Sequence, residues 1–237
     1  MKSTYASDFS PSPAFAILPF WEGGEAACTV PPALRGVIAS VLKGKDFEGK
    51  MGETALAYGE GKALLVGLGK KEKVSVDVLR KSYAAAVKVA HQKKGGEVEI
   101  AAPHGAPLSE KEVVRGVGEG FYLANYAFTE LKGPSSKEGL PTLIQGVRWI
   151  GFGKGIEPCF EKMERVREGV YFVRDLVNRN ADEVTAGAIA SVVRPLQSKE
   201  LEVEIFDKQR IQKEGMGHMR AVNRASSHDP FLVRLTY

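Results

Sequence analysis

The chain of 237 residues holds only two cysteines, Cys28 and Cys159, and four histidines, His91, His104, His218 and His228. Cysteines so far apart have no metal-like spacing and form no disulfide framework, so the sequence reads as a reduced, cytoplasmic chain. No histidines stand in an H-x-x-x-H or H-E-x-x-H context, which excludes the helical zinc-peptidase signature. No stretch approaches the ~18 consecutive apolar residues of a membrane span. The first residues lack the apolar core of a secretory signal. No serine lies in a G-x-S-x-G elbow, and the chain has neither internal repeats nor low-complexity runs.

What is present suits a globular protein: 43% hydrophobic and 26% charged residues leave no room for a disordered chain. The net charge is +4, and its whole excess falls within residues 1–155. There it is spread over Lys43, Lys45, Lys50, Lys70, Lys71, Lys73, Lys93 and Lys94. Lysines so scattered describe a solvated surface; a nucleic-acid footprint is normally denser.

The hydrophobic pattern alternates strands with helices. Strands are expected at 14–20, 54–58, 62–68, 97–101 and 143–151, and the second and third form a hairpin around Gly59-Glu60-Gly61. Helices are expected at 33–42 after Pro31 and Pro32, at 75–93 with Ser75 as N-cap, and at 109–126 with Ser109 and Glu112 in capping-box spacing. In the second helix the apolar side is read as Val78, Leu79, Ala85, Ala86, Val89 and Ala90, and Gly95-Gly96 as the stop. A Gly-Pro-Ser-Ser loop is expected at 133–136. This order predicts an α/β domain with a largely parallel or mixed sheet. A long helix over 157–178 then leads to a second α/β unit: a helix at 185–197, strands at 201–206 and 231–236, and a short helix at 208–213.

Candidate chemistry is thin. The stretch Gly67-Leu-Gly-Lys70 follows a strand and precedes a helix, where phosphate loops sit, yet it fits neither G-x-G-x-x-G nor the P-loop. A tight turn explains it better, and the same holds for 151–155. His91, near a helix end, reads as a partly exposed structural histidine, and His218 and His228 flank a turn. Glu157, Glu161, Glu164 and Glu168 recur at helical spacing beside Lys162, Arg165 and Arg167, the pattern of a solvated helix face. Asp182 and Glu183 precede a helix that Thr185 can cap.

Several blocks, in order, resemble leucyl aminopeptidases. Residues 47–53 (FEGKMGE) are similar to the family's F-x-G-x-x-G turn, and 64–70 with Leu79-Arg80 to its next block. Residues 126–132 (YAFTELK) are similar to Y-x-F-D-x-Y-K, with Thr129 and Leu131 in place of the usual Asp and Tyr. Residues 169–185 resemble G-x-x-x-x-R-D-L-x-N-x-P-x-N-x-x-T-P: Arg174, Asp175, Leu176, Asn178 and Thr185 match, and Asn180 and Ala186 stand near the missing prolines. The variant NADEVT is most similar to enzymes of chlamydia-type bacteria. Gly215, Gly217, Ala221, Val222, Ser226, Pro230 and Tyr237 follow a last block, in which Ala225 replaces a glycine.

The resemblance implies a cytoplasmic exopeptidase that removes N-terminal residues, leucine favoured, from peptides. It implies a macro-domain-like N-terminal α/β domain (1–155), a linking helix (156–180) and the start of a catalytic α/β domain (181–237). The family assembles as a hexamer and carries two divalent ions (manganese, zinc or magnesium), held in motifs of the forms G-K-G-x-x-F-D-S-G-G and N-T-D-A-E-G-R. Neither motif occurs between Met1 and Tyr237. No residue here is therefore assigned a catalytic, metal-binding or cofactor-binding role, and the chain by itself is expected to be inactive, cut off before its metal ligands. The alternative is a non-catalytic module that binds nucleic acid or a nucleotide through the macro-like domain.

Overall fold

The structure, a computed structural model, describes residues 1–133 and 140–237. Residues 134–136 of the expected Gly-Pro-Ser-Ser loop lie outside the described residues. Two compact units divide the chain, Met1–Tyr171 and Phe172–Tyr237.

The first unit is a six-stranded mixed sheet with helices on both faces, as the alternation of elements predicts. Its strands are β1 (Lys2–Ala6), β2 (Phe15–Phe20), β3 (Thr54–Tyr58), β4 (Lys62–Gly67), β5 (Glu97–Ala101) and β6 (Gly146–Ile150). Their order is β1-β6-β5-β2-β4-β3. All neighbours are parallel except β3 and β4, whose hairpin pairs Leu56 with Leu64. β1 has no counterpart in the sequence reading. Its residues KSTYA alternate only weakly, and its single pairing, with β6, joins segments more than 140 residues apart.

Helix α1 (Arg35–Lys43) covers one face; α2 (Val76–Gln92), α3 (Glu110–Ala124) and the first turns of α4 (Glu157–Asn178) cover the other. β4 supplies both faces, as its apolar run requires: Leu64 and Val66 join the cluster with Tyr83 and Phe121, Ala63 and Leu65 the cluster with Leu34 and Ile38. Trp149, fully buried, stacks on Phe160 of α4 with ring centroids 4.3 Å apart.

The N-caps read from sequence form. Ser75 Oγ accepts from the Val78 N–H, and Ser109 and Glu112 close a reciprocal capping box. The stop after α2 differs: Lys94, not a glycine, takes the left-handed conformation (φ 56°), while the Gly95 N–H reaches the Ala90 carbonyl at 2.9 Å. The buried side of α2 is also rotated from its expected position. Leu79, Ser82, Tyr83, Ala86, Val87, Ala90 and His91 are buried, while Val78, Ala85 and Val89 are half-buried. The cause is α3, which presses Gly116 and Gly120 onto α2; a Cβ at Gly120 would lie 2.5 Å from the Arg80 carbonyl oxygen.

The second unit contains α5 (Ala186–Val193), which Thr185 caps through the Ala188 N–H, α6 (Lys208–Lys213), α7 (Gly217–Asn223) and a hairpin of β7 (Glu202–Phe206) with β8 (Leu232–Thr236). α7, a short helix without an N-cap side chain, is absent from the sequence reading. The long helix expected at 157–178 is α4.

Candidate functional site

A sheet of this kind has one privileged edge. β2 leads into α1 on one face and its neighbour β5 leads into α3 on the other, so the chain leaves these adjacent strands in opposite directions. Open α/β sheets bind ligands at such a switch point, outside the carboxyl ends of the strands. A crevice of about 260 Å³ lies there. Three segments wall it: 7–11 after β1, 28–35 after β2 and 101–104 after β5, with Ile150 and Gly151 at the end of β6.

Each wall is fixed locally. The 7–14 loop is tied across the sheet by Ser10, whose N–H donates to Glu99 at 2.9 Å and whose Oγ accepts from Arg148 at 2.6 Å. Pro31 and Pro32 set the turn into α1 that presents Arg35. The His104 N–H donates to the Ala27 carbonyl at 2.5 Å, clamping the segment after β5 to the one after β2. Phe9, Val30 and Pro31 give apolar walls, while Asp8, Arg35 and His104 are exposed at the rim. Asp8 accepts from Ser7 Oγ at 2.7 Å, and among the described residues Arg35 Nε makes one long contact, 3.4 Å, with the Val30 carbonyl. Burial pushes the Cys28 thiol in this crevice up to about 12, so it is protonated and unreactive at neutral pH.

The glycine loops do other work. In the 67–69 turn, the Gly67 N–H donates to Glu53, the Leu68 N–H to Phe20 and the Gly69 N–H to Gly49, all at 2.8–2.9 Å. Each of these donors is occupied by the fold, which is what a tight turn rather than a phosphate cradle requires. In the 151–155 loop the Gly151 N–H reaches the Ala6 carbonyl and the Gly153 N–H reaches the Glu110 carboxylate at 2.5 Å.

The histidines do not converge. His91 is not partly exposed as its position near a helix end suggests; it is 6% exposed, and its Nε2 lies 2.8 Å from Asn125 Oδ1. Burial lowers its pKa, against the opposing effect of the hydrogen bond it donates to Asn125. His218 and His228 are exposed in the second unit. Along α4, Glu157 and Glu164 are half-buried rather than fully solvated. Burial first, then Glu157, Glu161 and Glu164, raises the Tyr5 pKa to about 12.

Among the described residues, no three of His, Cys, Asp or Glu group closely enough to hold a metal ion. This donor set does not fit a dinuclear centre. The lysines named from the sequence divide between two ends of the sheet. Lys70, Lys71 and Lys73 follow the carboxyl end of β4, whereas Lys93 and Lys94 precede the amino end of the parallel strand β5, at the opposite edge of the sheet. No described helix is long and apolar enough to cross a membrane.

Comparison with known proteins adds what the geometry lacks. Residues 17–135 match the cytosol aminopeptidase family, N-terminal domain, and residues 171–237 match the same family's catalytic domain. A probable cytosol aminopeptidase of Protochlamydia amoebophila is 37% identical over 230 residues, covering 93% of this chain and 46% of that protein. Its counterpart in Chlamydia trachomatis is 34% identical over 234 residues, with the same coverage of 93% and 46%. The chain thus spans about half the length of the curated relatives it matches. In fold it is similar to a lysine-to-glutamate mutant of tomato leucine aminopeptidase (TM-score 0.82, 20% identity, 99% of this chain and 50% of that one). It is also similar to the bottromycin maturation enzyme BotP in complex with Mn (TM-score 0.75, 21% identity, 94% and 45%).

Proposed function

Since the chain belongs to the cytosol aminopeptidase family, we propose that it forms the N-terminal domain and the first part of the catalytic domain of a cytoplasmic, metal-dependent aminopeptidase. The whole protein releases N-terminal residues, leucine by preference, from peptides, and works as a hexamer. One observation carries this reading: two domains of one family match in chain order, residues 17–135 and then 171–237.

We assign 1–155 to the macro-like domain, 156–180 to the linking helix and 181–237 to the catalytic domain. The change of unit at Tyr171–Phe172, inside α4, supports a helical link. The Mn-bound BotP, similar in fold, supports divalent-metal use by the whole protein. In the whole protein, two such ions supply an activated water and a polarised scissile carbonyl. The residues of this chain contribute scaffold, because the family's ligand motifs are absent from them.

The 237-residue chain alone is therefore inactive. Purified and supplied with Mn²⁺, it should release no p-nitroaniline from leucine-p-nitroanilide above the blank. Turnover that rises with Mn²⁺ would overturn the proposal. The nucleic-acid alternative draws no support from lysines placed at opposite edges of the sheet.

A further inference from the structure

We propose that the groove between α3 and α4 of the first unit docks an acidic amphipathic helix of a partner protein. Its apolar stripe would seat on Val166 and Val170, and its flanking carboxylates would meet Lys111 and Lys162. The proposal goes beyond the peptidase reading and does not depend on it, because the groove lies outside the residues that match the catalytic domain.

Shape is the first argument. The groove encloses about 450 Å³ and has one helix for each wall. It is lined at 111, 114, 115, 119, 122 and 123 on α3 and at 159, 162, 163, 166, 167 and 170 on α4, the spacing of one face of each helix. At ~1.5 Å per residue each wall runs about 17 Å, roughly three turns of a docked helix. The apolar line along α4, Cys159, Met163, Val166 and Val170, falls on alternating a and d positions of a heptad, the seam by which helices pack. Val166 stands 55% exposed on it. The walls spend their backbone N–H and C=O groups on their own helices, so they offer no edge to an added strand. Of the ways to hold a peptide, a helix laid in the groove is the one these walls permit.

The second argument is charge. Lys111 on one wall and Lys162 on the other form no salt bridge among the described residues, and both are exposed. Arg115 is paired with Glu119, and Arg167 with Glu164 and Glu168, so those charges are balanced within the fold. Glu157, Glu161 and Glu164 of α4 act on Tyr5 and do not line the groove. Its uncompensated charge is therefore positive on both sides of an apolar floor. A second copy of the chain would set the same lysines against each other, a like-charge cost, whereas a helix with carboxylates beside its apolar stripe complements both walls.

Fluorescence anisotropy of the 237-residue chain with two labelled amphipathic peptides tests the assignment. Both carry leucines at i, i+3, i+4 and i+7; one flanks them with glutamates, the other with lysines. The glutamate peptide should bind and the lysine peptide should not. Val166→Asp should weaken binding by at least about tenfold, the worth of one apolar anchor. Lys111→Glu with Lys162→Glu should weaken it by about tenfold, and ~0.5 M salt should shrink that difference. All three side chains are exposed, so the variants should melt as the parent does. The proposal is overturned if the glutamate peptide fails to bind at ~100 μM chain, if the lysine peptide binds equally well, or if either variant leaves the affinity unmoved. Self-association of the chain that Val166→Asp abolishes would also overturn it, by giving the groove to a second copy.

Discussion

His91 at the end of α2 and Asn125 at the C-cap of α3 form a buried pair, Nε2 to Oδ1, 2.8 Å. The same Oδ1 accepts from the Ile144 N–H at 2.9 Å, and Asn125 Nδ2 donates to the Ile144 carbonyl at 2.9 Å. One side chain thus fastens two helices to the segment that enters β6. Because Oδ1 is an acceptor twice over, His91 carries a proton on Nε2, and burial favours the neutral form of the ring. Burial depresses its folded pKa, so below the unfolded value, ~6.5, the unfolded chain binds the proton more readily. The stability linked to His91 is therefore complete above pH ~6.5 and is lost as pH falls from there through the folded value. Melting temperatures of the parent should drop in that window more steeply than those of His91→Gln, with the two curves parallel at higher pH. Parallel curves throughout would show that His91 titrates freely.

Removing the other partner should cost more. Asn125→Ala strands the Ile144 N–H and carbonyl as well as His91 Nε2, and each unpaired buried group costs ~1–3 kcal/mol. A loss of about 3 kcal/mol in denaturant unfolding is expected, with the transition slope unchanged. A loss under about 1 kcal/mol would mean that water replaces the amide.

Two glycines of α3 make opposite predictions from the same substitution. Alanine in a helix interior gains ~1 kcal/mol over glycine. At Gly118 the new methyl would meet Met163 Cε at 2.3 Å, the mobile end of a flexible side chain that can swing aside. At Gly120 it would meet the Arg80 backbone oxygen at 2.5 Å, which cannot move without pushing α2 from α3. Gly118→Ala should be near neutral, and Gly120→Ala should destabilise by about 2–3 kcal/mol. Equal midpoints in urea would show that the two helices do not meet as closely as described.

Those glycines also show why the sequence told part of the fold and not the rest. Caps are local chemistry, so Ser75, Ser109 and Thr185 were legible, as was the β3–β4 hairpin across Gly59 and Gly61. The rotation of α2 was not, because it is set by Gly116 and Gly120 some forty residues on, and glycine in a helix reads only as a weak helix former. β1 was missed because its partner β6 lies at the far end of the domain. The site was less legible still. The glycine loops that look like phosphate cradles have their N–H donors occupied by the fold, while Asp8, Arg35 and His104 are separated by tens of residues and line one crevice only when β1, β2 and β5 lie in one sheet.

Cys28 provides a chemical test of the same crevice. With its thiol pushed up to about 12, the thiolate fraction at pH 8 is about one in ten thousand, against about a quarter for an ordinary thiol. In a Cys159→Ser background, the reaction of Cys28 with DTNB should be at least about a thousandfold slower than that of a free thiol, and urea should restore it. Rapid labelling of the native chain would show the crevice to be more open and more polar than its walls indicate.

The last prediction concerns the second unit. β8 pairs with β7 on one side, and the two strands make a sheet by themselves, with Val203 opposite Leu235 and Ile205 opposite Val233 on one face. Two strands are too few for a stable sheet in water, and among the described residues nothing pairs with the outer edge of β8. Leu235 is 50% exposed on that strand. An unpaired edge that carries apolar side chains recruits another. Light scattering should show association of the chain that grows with concentration, and Leu235→Lys should suppress it, because a charge at the edge opposes strand pairing. The substitution leaves the Glu204–Arg234 ion pair on the opposite face intact, so the unit should still fold. A parent chain that stays monodisperse at high concentration would show that β8 is not a sticky edge.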